Sequence, residues 1–303
     1  MSHVTVLLAE AVEGLAVQPS GLYVDGTFGR GGHSRAILER LGPSGRLVVF
    51  DRDPAAVAAA EALAETDPRL TMVSRAFSGM GGWLREQGLA GRVDGLLLDL
   101  GVSSPQLDEP ERGFSFMHDG PLDMRMDPDT GMSAAEWLAD VELDELTDVF
   151  RTLGEERHAR RIARHIVATR AERPITRTHA LAERIRETVP GYERNKHPAT
   201  RCFQAIRIYI NGELDELEAA LADVIDLLAP GGRLVVISFH SLEDRLVKRF
   251  IRTHSESEKD FFGQPVGQPP LLRVGKARRA GAEEIRANPR ARSAIMRVAE
   301  RTR

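Results

Sequence analysis

Asp25-Gly26-Thr27-Phe28-Gly29-Arg30-Gly31-Gly32-His33 lies between an apolar run that ends at Val24 and a helical run that begins near Ser34. Its glycines permit backbone angles and close approaches that a Cβ forbids, so a rigid ligand can rest on the main chain where a strand becomes a helix. The phosphate-gripping versions of this turn fit poorly. A Walker loop needs Gly-Lys-Ser/Thr, and Gly31-Gly32-His33-Ser34 supplies no lysine. A dinucleotide fingerprint through Gly29 and Gly31 would need its third glycine where Ser34 stands. What remains is an acid ending the first strand, a loose glycine cluster, and a second strand, Arg46 to Phe50, closing on Asp51 and Asp53. A carboxylate there can accept hydrogen bonds from ribose hydroxyls. The stretch therefore reads as a site for a nucleoside-bearing cofactor.

Outward from this turn, strands and helices alternate through the first hundred residues, as in a doubly wound parallel sheet. The strand candidates are Leu22 to Val24, Arg46 to Phe50, Leu70 to Ser74 and Val93 to Leu98. Pro54 can open the helix after the second strand, because its missing N–H costs nothing there. The alternation stops at Asp99. From Gly101 to about Gly131 runs a loop too long for a simple connection, which is expected to be functional or to tie in an inserted unit. Residues 133–187 read as helical, with Ser133 an N-cap and Gly154 ending the helix that finishes at Leu153. A helix from Glu155 to Arg173 would line up Arg157, Arg160, Arg161 and Arg164 on one side. A long helix then runs to Leu228, Pro230-Gly231-Gly232 turns the chain, and Arg233 to Ser238 returns to the sheet. Leu271 to Val274 and Ala294 to Val298 are expected to close one edge as a hairpin, and residues 255–269 read as a polar loop. The domain reading is thus 1–104 with 211–303 for the cofactor-binding part, and 105–210 for a mainly helical insert.

Charge is segregated along the 303 residues in a way the net value of −4 conceals. Residues 1–150 carry 11 Lys/Arg against 25 Asp/Glu, whereas 151–210 carry 14 against 6 and 273–303 carry 10 against 3. Two basic segments on an acidic body suit a phosphate-rich partner, because the local field steers such partners. No apolar run is long enough to span a bilayer, and the first residues lack a signal-peptide pattern, so a cytoplasmic location is expected. The single cysteine, Cys202, reads as a small buried side chain, and no metal-ligand spacing is present, so no metal is expected.

Whole phrases then carry a resemblance. They include Asp25 to Ser34, Asp51-Arg52-Asp53-Pro54, Leu98-Asp99-Leu100-Gly101-Val102-Ser103-Ser104-Pro105-Gln106-Leu107-Asp108 and Arg112-Gly113-Phe114-Ser115-Phe116. Further on come Gly120-Pro121-Leu122-Asp123-Met124-Arg125-Met126, Gly154-Glu155-Glu156-Arg157, Lys196-His197-Pro198-Ala199-Thr200-Arg201 and Ile237-Ser238-Phe239-His240-Ser241-Leu242-Glu243-Asp244-Arg245, with His3-Val4-Thr5-Val6-Leu7-Leu8 at the start. Over nearly its whole length the chain resembles the ribosomal RNA small subunit methyltransferase H family, also called MraW, which methylates the exocyclic N4 of a cytidine in the decoding region of 16S rRNA.

The resemblance implies a class I S-adenosylmethionine-dependent methyltransferase, an α/β Rossmann-like fold with an inserted helical subdomain for RNA recognition. It places cofactor contacts on Gly31, Gly32, His33, Asp51, Phe77, Asp99 and Gln106. Main chain at Gly31 to His33 would approach the methionine portion, Asp51 the ribose diol and Phe77 the adenine face. Asp99 and Gln106 would reach the amino group or the adenine edge. Where many amino-methyltransferases carry Asp/Asn-Pro-Pro-aromatic, this chain has Ser103-Ser104-Pro105-Gln106, so no catalytic base is assigned. Ser103, Ser104, Pro105, His197, Phe239 and His240 are substrate-pocket candidates. The implied partner is 16S rRNA in the small subunit or a late assembly intermediate, held by Arg157, Arg160, Arg161, Arg164 and the 273–303 tail. Two competing readings are an RNA-binding assembly factor with a vestigial pocket and a nicotinamide oxidoreductase. The missing G-x-G-x-x-G counts against the latter.

Overall fold

Strand β1 (Leu22–Asp25) is buried on both faces, which is why its flanking strands alternate between two cores and not between core and water. The computed structural model describes residues 5–189, 197–259, 261–262 and 264–303; His3, Val4 and Lys196 of the quoted strings lie outside these. By compactness the chain divides into one unit of residues 1–101 with 214–303 and another of 102–213.

In the first unit, α1 (Leu8–Leu15) precedes β1, and α2 (Gly32–Leu38), β2 (Arg46–Asp51), α3 (Pro54–Thr66), β3 (Leu70–Ser74), α4 (Met80–Glu86) and β4 (Val93–Asp99) follow in alternation. Asp53 caps α3 by accepting from Ala55 N at 2.9 Å, and Pro54 occupies the first turn as the sequence predicts.

The second unit holds α5 (Ser104–Asp108), α6 (Ala134–Asp140), α7 (Leu143–Thr152), α8 (Ala159–Thr169), α9 (Thr178–Thr188) and α10 (Ala199–Asn211). Its core gathers Trp137, Phe150, Ile162, Ile166, Ile185, Cys202 and Phe203, so Cys202 is a buried apolar residue as expected. The long loop is part of that core. Phe114, Leu122 and Met124 are buried in it, and Asn211 clamps the loop by donating to Met124 O at 2.7 Å and accepting from Met126 N at 2.8 Å.

One helix expectation needs correcting. A helix starting at Glu155 is impossible because Glu155 takes φ +49, and α8 begins only at Ala159. Gly154 is there for space: a Cβ on it would lie 2.7 Å from both Phe150 O and Arg201 O, where α7 and α10 approach. Arg160, Arg161 and Arg164 share the exposed face of α8, opposite buried Ile162, Ala163 and Ile166, while Arg157 sits in the preceding turn. Arg160 lies 3.7 Å from Asp144, and both are exposed.

The chain returns to the first unit through α11 (Glu213–Leu227) and β5 (Leu228–Ser238), then α12 (Ser241–His254), β6 (Glu258–Lys259), β7 (Pro265–Val266), β8 (Leu271–Arg273), β9 (Arg278–Arg279), α13 (Ala282–Ala287) and β10 (Ile295–Arg301). Pro230-Gly231-Gly232 does not end the strand. It forms an irregularity inside β5, where the pairing with β4 jumps from Val93↔Leu228 to Gly95↔Arg233. The polar 255–269 segment contains the two-residue pairing of β6 with β7.

The main sheet runs β3-β2-β1-β4-β5-β10-β8, with β9 also on β10. The first five strands are parallel; β10 is antiparallel to β5 and to β8, so the two expected edge strands do pair, with about twenty residues between them. Val24, Val48, Phe50, Leu96, Leu98, Leu234 and Val236 face α4, α11 and α12, whereas Tyr23, Leu47, Val49, Leu97, Val235 and Ile237 face α1, α2 and α3. Strand order reverses between β1 and β4, and ligands of open α/β sheets settle at the carboxyl ends of such strands.

Candidate cofactor site

At that reversal the glycine turn is stitched to both neighbours of β1. Gly26 N donates to Leu97 O at 2.9 Å, Phe28 N to Phe50 O at 3.0 Å, and Gly29 N to Asp51 Oδ2 at 2.8 Å. Gly31 takes φ +72 before α2, a left-handed angle that costs an L residue about 1–2 kcal/mol. Gly32 is fixed by crowding, since a Cβ there would lie 1.9 Å from Thr5 Oγ1. The first described residues of the chain thus pack against the turn.

Three acids converge beneath it. Asp25, 1 % exposed, accepts from Ser34 Oγ at 2.6 Å and Thr27 N at 3.0 Å, yet burial outweighs these bonds and lifts its carboxyl to about 6. Asp99 ends β4, with its backbone N donating to Thr27 Oγ1 at 2.7 Å. Its Oδ1 is sealed from solvent and has no hydrogen-bond partner among the described residues, although the side chain as a whole keeps 24 % of its exposure. Burial first, then the charges of Asp25 and Glu243, push Asp99 well above the usual carboxylate range. Glu243, 2 % exposed, accepts from Phe239 N at 2.7 Å and His240 N at 3.2 Å.

His33 completes the cluster. Its Nε2 lies 3.2 Å from Val6 O, and because a carbonyl only accepts, Nε2 carries a proton. Nδ1 lies 3.5 Å from Asp99 Oδ2, so attraction between them needs a proton on one of the two. Burial and the neighbouring acids make the Asp99 carboxyl hold a proton more tightly than a free carboxylate does. A cationic group brought to Asp99 would supply the missing charge and the missing donor, and the ammonium of an amino-acid moiety has that chemistry.

The sequence-predicted residues separate into two groups. Gly31, Gly32, His33, Asp51, Phe77, Asp99, Phe239 and His240 belong to the first unit. Phe77 opens a short 3-10 turn after β3, and a Cβ on Gly26 would come 3.3 Å from the Phe77 Cβ, so the root of that side chain lies beside the turn. Asp51 Oδ1 accepts from Asp53 N at 3.0 Å and Oδ2 from Gly29 N, and the Arg52 backbone also donates to this carboxylate; burial nevertheless raises it. The Phe239 ring packs next to Gly101. His240 plays a structural part, since its Nδ1 accepts from Glu243 N as the N-cap of α12. Its Nε2 stands 3.1 Å from Glu243 Oε1 without forming an aligned hydrogen bond.

Ser103, Ser104, Pro105, Gln106 and His197 belong to the second unit. Gln106 is buried, and its Oε1 accepts from Ser103 N at 2.8 Å across the first turn of α5. His197 stacks on Phe116 with ring centroids 4.6 Å apart, and burial lowers its basicity. Asp25, Thr27 and Glu243 were assigned no role from sequence. The signal for Glu243 was available, because His240-Ser241-Leu242-Glu243 has capping-box spacing with histidine in the cap position.

Residues 1–302 match the profile of the MraW methylase family. The chain belongs to that family. It is 59 % identical, over 99 % of its length and 91 % of the relative's, to a protein of Chromohalobacter salexigens named ribosomal RNA small subunit methyltransferase H. Solved structures to which the chain is similar include a putative rRNA methylase from Clostridium thermocellum (TM-score 0.47, 13 % identity, 99 % of both chains) and a putative methyltransferase from Streptococcus mutans in complex with SAH (0.44, 9 %, 99 % of both). As an MraW methylase the chain is an S-adenosylmethionine-dependent methyltransferase of the class I fold. Among the described residues no helix is long and apolar enough to cross a membrane.

Proposed function

We propose that this MraW methylase transfers a methyl group to the exocyclic N4 of a cytidine in the decoding region of 16S rRNA, within the small subunit or a late assembly intermediate. The observation that carries the reading is the 59 % identity, across nearly the whole chain, to a protein named for methylating small-subunit ribosomal RNA. The choice of N4 rests on the resemblance of the sequence strings to that family.

Bound S-adenosylmethionine supplies an electrophilic methyl on a sulfonium. In this reading Asp99, with His33 behind it, holds the ammonium of the donor; Asp51 takes the ribose hydroxyls; Phe77 covers the adenine; and main chain at Gly31 and Gly32 lies along the methionine portion. Gln106 is a further donor contact, its Oε1 already oriented by Ser103 N. Cytosine N4 is a weak nucleophile because its lone pair is delocalised into the ring. Accepting hydrogen bonds from its amino hydrogens favours localisation, a role open to Ser103, Ser104 or the carbonyls around Pro105, and fixing nitrogen in line with methyl and sulfur removes the entropic part of the barrier. The proton leaves after transfer, so no strong base is needed. His197 and Phe239 are base-contact candidates. His240 acts through α12, whose start it caps. The target base must be unstacked to enter the pocket, while Arg157, Arg160, Arg161, Arg164 and the 273–303 tail hold the surrounding phosphates.

The test incubates the protein with small-subunit particles lacking the modification and methyl-labelled S-adenosylmethionine, followed by digestion and location of the labelled nucleotide. Label on a cytidine amine is expected. Label on a ribose, on another base or on ribosomal protein would overturn the reading.

A further inference from the structure

A second basic site lies within the cofactor-binding unit itself, along a groove between α12 and the last strands of the sheet. Its rims are Lys248 and Arg252 on one side and Arg273 and Lys276 on the other; Ile251, Val274 and Val298 form its floor. Lys248 and Arg252 are one helical turn apart on α12 and exposed, because Val247 and Ile251 turn the opposite face of that helix into the sheet. Arg297 is anchored in the wall by a two-armed pair with Asp244 at 2.7 and 3.0 Å. Among the described residues Arg273 has only a loose partner, Glu256 at 3.9 Å. Lys248, Arg252 and Lys276 have no acidic partner among the described residues. Cations held around a concave, partly apolar floor with so little neutralisation are a site for a polyanion.

Sheet register ties the groove to the methyl-transfer edge. Ile295 stands opposite Ser238, the last residue of β5, so β10 begins at the carboxyl edge of the sheet and Arg297 lies two residues further in. Asp99 pairs with Ile237 and Ile237 with Met296, so two inter-strand steps and one residue of rise place the head of the groove roughly 10 Å from Asp99. That is a span a few nucleotides can cover. We infer that this groove binds the phosphodiester backbone of the RNA that flanks the target nucleotide, so that the catalytic unit carries its own RNA grip. This inference rests on the RNA substrate proposed above.

The test compares the wild type with K248E/R252E/K276E, all three exposed and outside the donor pocket. Three measurements are made: affinity for S-adenosylhomocysteine by calorimetry, affinity for protein-free small-subunit rRNA across a salt series, and KM for unmodified particles. In the variant, donor-site affinity stays within twofold, rRNA affinity falls at least tenfold at 0.1 M salt, KM rises in parallel, and the log–log salt slope becomes shallower by about 2, as expected for three lost contacts to single-stranded RNA. The neutral K248Q/R252Q/K276Q falls between. Unchanged rRNA affinity and slope would overturn the inference. So would a loss confined to particles, which would assign the groove to an acidic ribosomal protein. Absence of methyl transfer to RNA by the wild type would remove the functional reading and the groove with it, whereas transfer by the wild type matched by the variant removes the groove alone.

Discussion

Gly31 and Asp25 show what single positions contribute to the proposed donor pocket. Gly31 needs a left-handed φ of +72, and a Cβ would lie 2.6 Å from the Phe28 ring, so Gly31→Ala combines backbone strain with a clash. A loss of about 2 kcal/mol or more in urea unfolding is expected, together with weakened donor binding. Asp25 links the pocket to pH. Its folded carboxyl, at about 6, lies above the unfolded value near 3.8, so the folded state holds the proton more tightly. The stability this contributes is full below about pH 4 and is lost as pH rises through 6. Asp25→Asn removes that dependence. The stability difference between wild type and variant, followed by urea midpoints from pH 4 to 7, should shift against the wild type with rising pH by about 1–3 kcal/mol. A flat difference would mean that Asp25 is charged throughout.

Among the elements, ordering of the second unit depends on how its long loop is held. Asn211, at the end of α10, uses both ends of its amide on the loop main chain at Met124 and Met126 while also reaching Arg207 O. Asn211→Ala strands buried backbone groups and should cost about 2–3 kcal/mol, read as a lowered urea midpoint. A cost below about 0.5 kcal/mol would show that water replaces the amide. The alternating apolar residues of β2 and β4 and the Asp53-Pro54 cap were legible because each is a local pattern with one physical solution. The start of α8 was not. Helical spacing of arginines continues through Glu155, and only the close approach of α10 to Gly154, a long-range fact, shows why the chain breaks there. Pro230-Gly231-Gly232 reads as a strand boundary for a related reason: composition announces a turn but not that a neighbouring strand can absorb it.

Across the chain as a whole, acidic residues dominate the first half, Asp25, Asp51 and Asp99 among them, while the cations concentrate in the helical unit, on α12 and in the tail. That segregation could be read from sequence. The pairing of individual arginines could not: Arg297 is committed to Asp244 and Arg207 to Glu213, whereas Lys248 and Lys276 are not committed to any described acid. The motif residues of the proposed donor pocket could be picked out from sequence. Its electrostatic state was hidden, because Asp25, Asp99 and Glu243 come from three distant parts of the sequence and meet only at the strand tips. Everything said of that pocket turns on the raised Asp99 carboxyl giving up its proton when the cationic ammonium of the donor meets it. Titrating S-adenosylhomocysteine into the protein near neutral pH, in buffers of different ionisation enthalpy, reads that proton without intermediaries. The wild type should release protons on binding, with affinity rising as pH rises, and Asp99→Asn should lose tenfold or more in binding and show no linked proton. Equal binding by both proteins, with no proton exchanged in either, would refute it.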